Sequence, residues 1–562
     1  MRFSCLLVLA LFPLSGSASF VSSQDDGPAT RTDDLTEDER ILHVLSRFTP
    51  GATPELVAEV RRKGINRWLK QQFSGRVPES ETYENYSGQF KSLGMTLPEI
   101  AAGYYVRPEG TGPKKKQLTK EQKNVFKKRA ATPTQEMMAW IFLRAVYGNN
   151  HVRNVSSDFF RNHFSVSISK GAVDRYVVGW EREIIHGQAL GNFGDMLEAT
   201  AKHPAMLFFL DNHLSRRPAT PEELEKIARK VKKKTDSEER VEEAVELANQ
   251  RGLNENYARE LLELHTLGVD NYYTQKDVIN VAKILTGWSM KKLRKQPESP
   301  KGFYFFKNLH CEGNKPFLDG VIHENRENPL REGEELLEIL KTHEGTAHYL
   351  SWKLCRYFVN DNPDRGMVGR VAGVFSKTGG DLPKVFQAIV DDPEFFSRRN
   401  YRAKFKRPYE FIVSVLRATR VEITNTKNIN SIANKSQVLK AMNEPLYRCA
   451  DPTGYYDQAE AWRDPGALAI RWTFVTDLVN GRIKGIRIPE SFYDDLPEDN
   501  PRAWKEILVR KILPVVGVSD FISKKIDDLV KPYIDRTSRA GRKRLRTGIV
   551  AILLGSPEFQ KQ

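Results

Sequence analysis

LNENYARELLELHTLGVDNYYTQKDVINVAKILTGW, residues 253–288, decides the class of the fold. On a helix turning about 100° per residue, Tyr257, Ala258, Leu261, Leu262, Leu264 and His265 fall on one side, and Glu255, Asn256, Arg259, Glu260 and Glu263 on the other. The spacing predicts an amphipathic helix over 256–267 and a second over 275–286. The polar stripe has two chemical readings. Glu260 and Glu263, three residues apart, form a carboxylate pair able to hold a divalent cation or to divide acid and base roles, with Asn254, Glu255, Asn256 and Arg259 as neighbouring binding groups. Alternatively, Glu255 with Arg259 and Arg259 with Glu263 are i,i+4 ion pairs on a solvated face. His265 points away from Glu263 and reads as a packed core histidine.

Outward from this segment the same period recurs. Thr36 and Glu39 make a capping-box pattern ahead of Ile41, Leu42, Leu45 and Phe48, and Thr53-Pro54 is an N-cap followed by proline. Further helices are expected over 134–147, 194–201, 205–212, 238–250, 334–341, 345–359, 366–376, 382–390, 408–419, 465–479, 503–512 and 542–554. Period-two runs are few and short, such as 303–307. The expected fold is therefore mainly α: a multi-helical globular fold with few short strands. Residues 110–129, 215–239 and 289–302 are lysine-rich and broken by glycine or proline, and read as surface insertions.

The N-terminus reads as a signal peptide over residues 1–19. Arg2 precedes an apolar run over 5–14 and the small residues 15–19. A flexible segment over 20–37 would follow, then one large helical domain over 38–562, with 289–302 as the place where two subdomains would divide. Export to the periplasm or exterior is the expected localisation. No window reaches the roughly 20 apolar residues of a transmembrane helix, so no membrane anchor is expected.

Composition supports a packed globular chain: 562 residues, 40% hydrophobic and 28% charged. Four cysteines are too few for a disulfide scaffold of this length, and signal removal would leave three, an odd number. The net charge of +15 is clustered around 114–129, 226–234, 291–301 and 539–546. Such runs attract polyanions. For an exported protein the expected partner is an anionic polysaccharide or an envelope surface. Nucleic acid is not expected, because the basic runs lack interleaved aromatics and zinc spacing. A nucleotide cofactor is not expected either, because no P-loop or glycine-rich fingerprint occurs. His163 beside Asn162, and His310 ahead of Lys315, are further acid/base and binding candidates. Asp211 and Asn212 read as a cap or binding pair. Trp288 is a sugar-stacking or core residue.

These residues also carry a resemblance. NENYARELLELHTLG, followed by YTQKDV and LTGW, is similar to the bacterial family called domain of unknown function 1800. Other landmarks agree in order: RNHFSVS (161–167), GNFGDML (191–197), PAMLFFLDN (204–212), HCEGNK (310–315), KLCRYFV (353–359), KRPYEFIVSVLRA (406–418) and SPEF (556–559). The resemblance implies an exported, mostly helical protein of the kind frequent in planctomycetes. It also implies a candidate partner in the sulfatase-like exported family called domain of unknown function 1501, often encoded alongside. It implies no reaction. Relatives carry aspartate where Cys311 stands and phenylalanine where His265 stands. Two functions stay open: an envelope or secretion-associated partner protein binding an anionic polymer or a sulfatase-like protein, and a metal-assisted or acid/base hydrolase acting on anionic glycans. The second would gather Glu260, Glu263, His310 and His163 into one site, with a divalent metal on the two glutamates.

Overall fold

The computed structural model describes residues 34–106, 118–233, 237–250, 252–292, 301–429, 432, 438–533 and 538–562. The signal-peptide expectation, most of the 20–37 segment, and the lysines at 114–116, 234 and 295 lie outside them. From Leu35 to Gln562 the chain is one compact unit, built of helices with, among the described residues, three two-stranded antiparallel sheets, the third pairing Glu422–Ile423 with the distant Ile486–Arg487.

Local sequence explains how the helices start. Thr36 and Glu39 form the expected capping box, and Thr53 caps a helix with proline in its first turn. The Glu37–Phe48 helix buries Ile41, Val44, Leu45 and Phe48, and the Phe48 ring stacks on Phe358 at 4.7 Å. Phe358 ends the Glu344–Phe358 helix, whose inner face buries Ala347, Leu350, Leu354 and Phe358 at helical spacing. Against that helix pack Arg365–Thr378 and Leu382–Asp391. Among the described residues no helix is long and apolar enough to cross a membrane.

Four expectations change. The helix over 256–267 is α-helical only for Asn256–Glu260 and continues as a π-helix, Leu261–Thr266. The cause is local. The Leu267 amide donates to the Leu262 carbonyl at 2.8 Å and the Thr266 hydroxyl donates to Leu261 at 2.7 Å, both reaching five residues back. Everything beyond Leu261 is thereby rotated off the regular α stripe. The insertion over 289–302 contributes a hairpin, Trp288–Lys292 with Lys301–Phe305, and the strand expected over 303–307 lies two residues earlier. Burying Trp288, which packs edge-on against Phe303 at 5.3 Å, gives this short hairpin its apolar anchor. The insertion over 215–239 likewise contains the Pro221–Lys232 helix, which pairs with Glu238–Gln250.

A chain of charges crosses the core. Arg161 donates to Glu181 at 2.9 Å and to Asp158 at 2.8 Å; Arg407 bonds Asp158 and, at 2.8 Å, Glu444. Arg144 and the Tyr447 hydroxyl complete the Glu181 end. All of these side chains are nearly inaccessible, so each charge depends on its partners. The network ties the segment after Glu444 to the His151–His163 helix, and that junction forms one side of the cleft described next.

Candidate functional site

The outer face of the Glu344–Phe358 helix carries His348, Tyr349, Trp352, Lys353 and Arg356, at i, i+1, i+4, i+5 and i+8. That stripe is the floor of an open cleft of about 1090 Å³. Leu264 and Leu267, turned by the π-helix, form one wall together with Tyr272; residues 453–458 and Asn162 form the facing one; Asn362 to Val368 closes an end. The volume exceeds the usual few hundred to about 1000 Å³ of a small-molecule pocket and suits an extended ligand. The cavities around Asp158, by comparison, have room only for about a water molecule, near 30 Å³ each.

Aromatic rings and cations dominate the lining. Tyr349 and Trp352 stack with ring centroids 6.1 Å apart, Arg356 lies 5.0 Å over Trp352, and the Lys353 ammonium lies 5.7 Å from the Tyr349 ring. Lys353, Arg356 and Arg365 form no ion pair or hydrogen bond with the described residues, and Nε of Arg356 is buried without a partner. The described lining holds one carboxylate, Asp457, whose buried Oδ1 lacks a hydrogen bond and lies 3.9 Å from Nε of the buried Arg407. Burial pushes the Lys353 amine down to about 8, Asp457 opposing and Arg356 adding to the shift. Burial also pushes the Tyr349 hydroxyl up to about 12. The cleft is thus a cationic trough with ring platforms along its floor.

Asn162 shapes the facing wall. Its amide donates to the Tyr455 carbonyl at 2.7 Å and its Oδ1 accepts from the Tyr455 amide at 2.6 Å. Gly454 between them has φ of +80°, and a Cβ there would sit 2.5 Å from the Asn162 carbonyl oxygen. Of the residues singled out from sequence, Asn162 is the one that lines the cleft.

The others fall into separate surroundings. Asn254 and Asn256 donate to the Asp211 and Leu210 carbonyls at 3.2 and 3.3 Å, while Asp211 sits in a left-handed turn and pairs with Lys170. Asn212, fully buried, donates to the Leu285 and Trp288 carbonyls. These side chains latch three segments together. Trp288 is fully enclosed, so of its two readings the core one fits. Glu255 and Glu263 bracket Arg259 at 3.6 and 3.2 Å, and Gln275 bridges Arg259 to Glu255, as the ion-pair reading expects.

No hydrogen bond or ion pair joins Glu260, Glu263, His310 and His163 among the described residues, and the two histidines have other partners. His310 is buried and bonds Glu332 at 2.9 Å and the Thr286 carbonyl at 2.9 Å, and Lys315 is buried against the same Glu332. Glu332, on the Leu330–Thr342 helix, escaped notice in the sequence because it reads as one more helical glutamate. His163 is wedged among Phe159, Phe164 and Phe193 and held neutral by burial, well below the usual histidine range. It touches the carbonyl of His265, itself buried and pushed down to about 3. Glu260 is pushed up to about 7 by burial, then by the neighbouring charges of Glu263 and Asp451. Among the described residues no three His, Cys, Asp or Glu side chains gather to hold a metal ion, so the glutamate pair lacks a third such donor. The three described cysteines are unpaired.

The cleft's floor was not singled out from sequence, although its signal was present: rings and cations sharing one helical face, opposite a mostly apolar one. Fold and cleft together define a large, mainly helical protein with an aromatic, cation-lined groove. The chain belongs to the family described as protein of unknown function (DUF1800), whose model matches residues 43–561. No curated protein and no solved structure matches it.

Proposed function

We propose that the protein is an exported binding protein for an acidic polysaccharide, which it holds along the cleft floored by the Glu344–Phe358 helix. The observation that carries this reading is the pair of half-buried cations, Lys353 and Arg356, left without carboxylate partners beside the Tyr349–Trp352 platform, with the exposed Arg365 at the same cleft. A half-buried cation normally finds an anion in its own chain. Here the anion would come with the ligand, as a carboxylate or sulfate, while the flat apolar faces of sugar rings stack on Tyr349 and Trp352. The apolar run over 5–14 supports export.

Titration of the full chain with polygalacturonate, followed by calorimetry, tests the reading. Arg356→Ala and Trp352→Ala should each weaken binding about tenfold or more, in line with loss of a charge-assisted bond or a ring contact; melting temperature should change little in Arg356→Ala and fall in Trp352→Ala, whose ring also packs against the core. Unchanged affinity in both variants would overturn it.

A further inference from the structure

We propose that the cleft is also a β-elimination site for 4-linked polyuronates, with Lys353 as the base that removes the proton from C5 of the uronate ring. The inference rests on the acidic-polysaccharide reading and adds a reaction to it. Tyr349, Lys353 and Arg356 occupy successive turns of one helix, four and three residues apart, so that all three side chains share its cleft-lining face. Lys353 and Arg356 are free of ion pairs with the described residues, and the unpartnered Nε of Arg356 is buried. Hydrolysis by the usual route needs two carboxylates flanking the scissile bond. The described lining has only Asp457, and no serine or cysteine nucleophile.

The step balances without a co-reactant. Arg356 pairs with the C6 carboxylate and stabilises the charge that develops on it. The neutral amine of Lys353 takes the C5 proton. The electron pair released forms the C4–C5 double bond as the C4–O4 bond breaks. The departing O4 takes a proton from the Tyr349 hydroxyl, and water returns the protons to their starting places. Burial favours the neutral amine, with a Lys353 value of about 8. The charged and titratable groups around it are Asp457 on the facing wall, Arg356 on its own helix, and the two neutral histidines behind it, His163 and His265. Tyr349 stays protonated, with burial dominant, Arg356 opposing and Glu263 adding to the upward shift.

The test incubates the full chain with polygalacturonate and with alginate, reading the ultraviolet absorbance of the unsaturated uronate and the shortening of the chains. The expected result is unsaturated product from at least one polymer, formed faster as pH rises toward about 8. Lys353→Arg keeps the cation and should lower turnover about 10²–10⁴-fold while leaving the polygalacturonate Kd within about threefold. Tyr349→Phe should also lower turnover without loss of binding. Absence of unsaturated product from both polymers, or wild-type turnover in Lys353→Arg, would overturn the proposal. Saturable binding without product removes the elimination alone; no binding to either polymer removes the binding reading with it.

Discussion

Glu260 is a carboxylate held against its preference. Burial and the charges of Glu263 and Asp451 lift it from the ordinary 4.5 to about 7, with Arg259 opposing. An acid whose folded value exceeds its unfolded one keeps its proton in the native state while the unfolded chain has released it, so stability falls as pH rises from about 4.5 through 7. Glu260→Gln removes the charge at every pH. Its melting temperature should exceed the wild type by a few degrees at about pH 8 and match it near pH 4.5; a lower value at pH 8 would show that the carboxylate is needed. Arg407 is the opposite case, a cation whose neighbours need it. Arg407→Met leaves Asp158 and Glu444 buried without their shared partner, and Glu444 is already pushed up to about 7 by burial. Urea unfolding at neutral pH should show a loss of about 3–5 kcal/mol, shrinking toward pH 5 as Glu444, left without its cation, takes up a proton. An equal loss at both values would mean that packing, not charge, is what Arg407 contributes.

Elements rather than single residues shape the cleft, and this scale separates what the sequence discloses from what it does not. The Glu344–Phe358 helix was expected over 345–359 because its apolar face repeats at helical spacing. The π-turn at Leu261–Thr266 was not, because apolar periodicity reports which residues are buried and carries no sign of a hydrogen bond reaching five residues back. Nor could the cleft itself be read. Its walls come from four segments, near 162, 264–272, 345–368 and 453–458, whose approach is set by the Asp158–Arg407–Glu444 charges and by the Asn162–Tyr455 pair. The family-like stretch did point to the right neighbourhood, but mostly through residues that hold turns together, Asn254 and Asn256 among them. The facing wall hinges on Gly454. Gly454→Ala must move either the 453–458 segment or the Asn162 carbonyl. It should cost about 1–3 kcal/mol in stability and weaken polygalacturonate binding, whereas the same exchange at Gly369, where nothing lies within 4 Å of a new Cβ, should do neither.

Taken as a whole, the molecule carries two kinds of positive charge, and they behave differently in salt. Much of the +15 excess sits on two helices: Lys120–Ala130, with five basic residues against one acidic and no buried residue, and Arg539–Gly555, with five basic residues and no acidic one. Those surfaces will attract any polyanion, with an affinity that collapses as the Debye length shortens to about 6 Å near 0.3 M salt. The cleft adds what the surface lacks: Tyr349 and Trp352 beside Lys353 and Arg356, so that a ring-bearing ligand gains stacking that salt screens little. Two polyanions of similar charge density therefore part company. At low salt, polyphosphate and polygalacturonate should both bind. Near 0.3 M salt polygalacturonate should retain measurable affinity and polyphosphate should not, and Trp352→Ala should abolish the difference. If polyphosphate persists equally, the basic surface rather than the cleft is what holds polyanions, and the aromatic floor has another purpose.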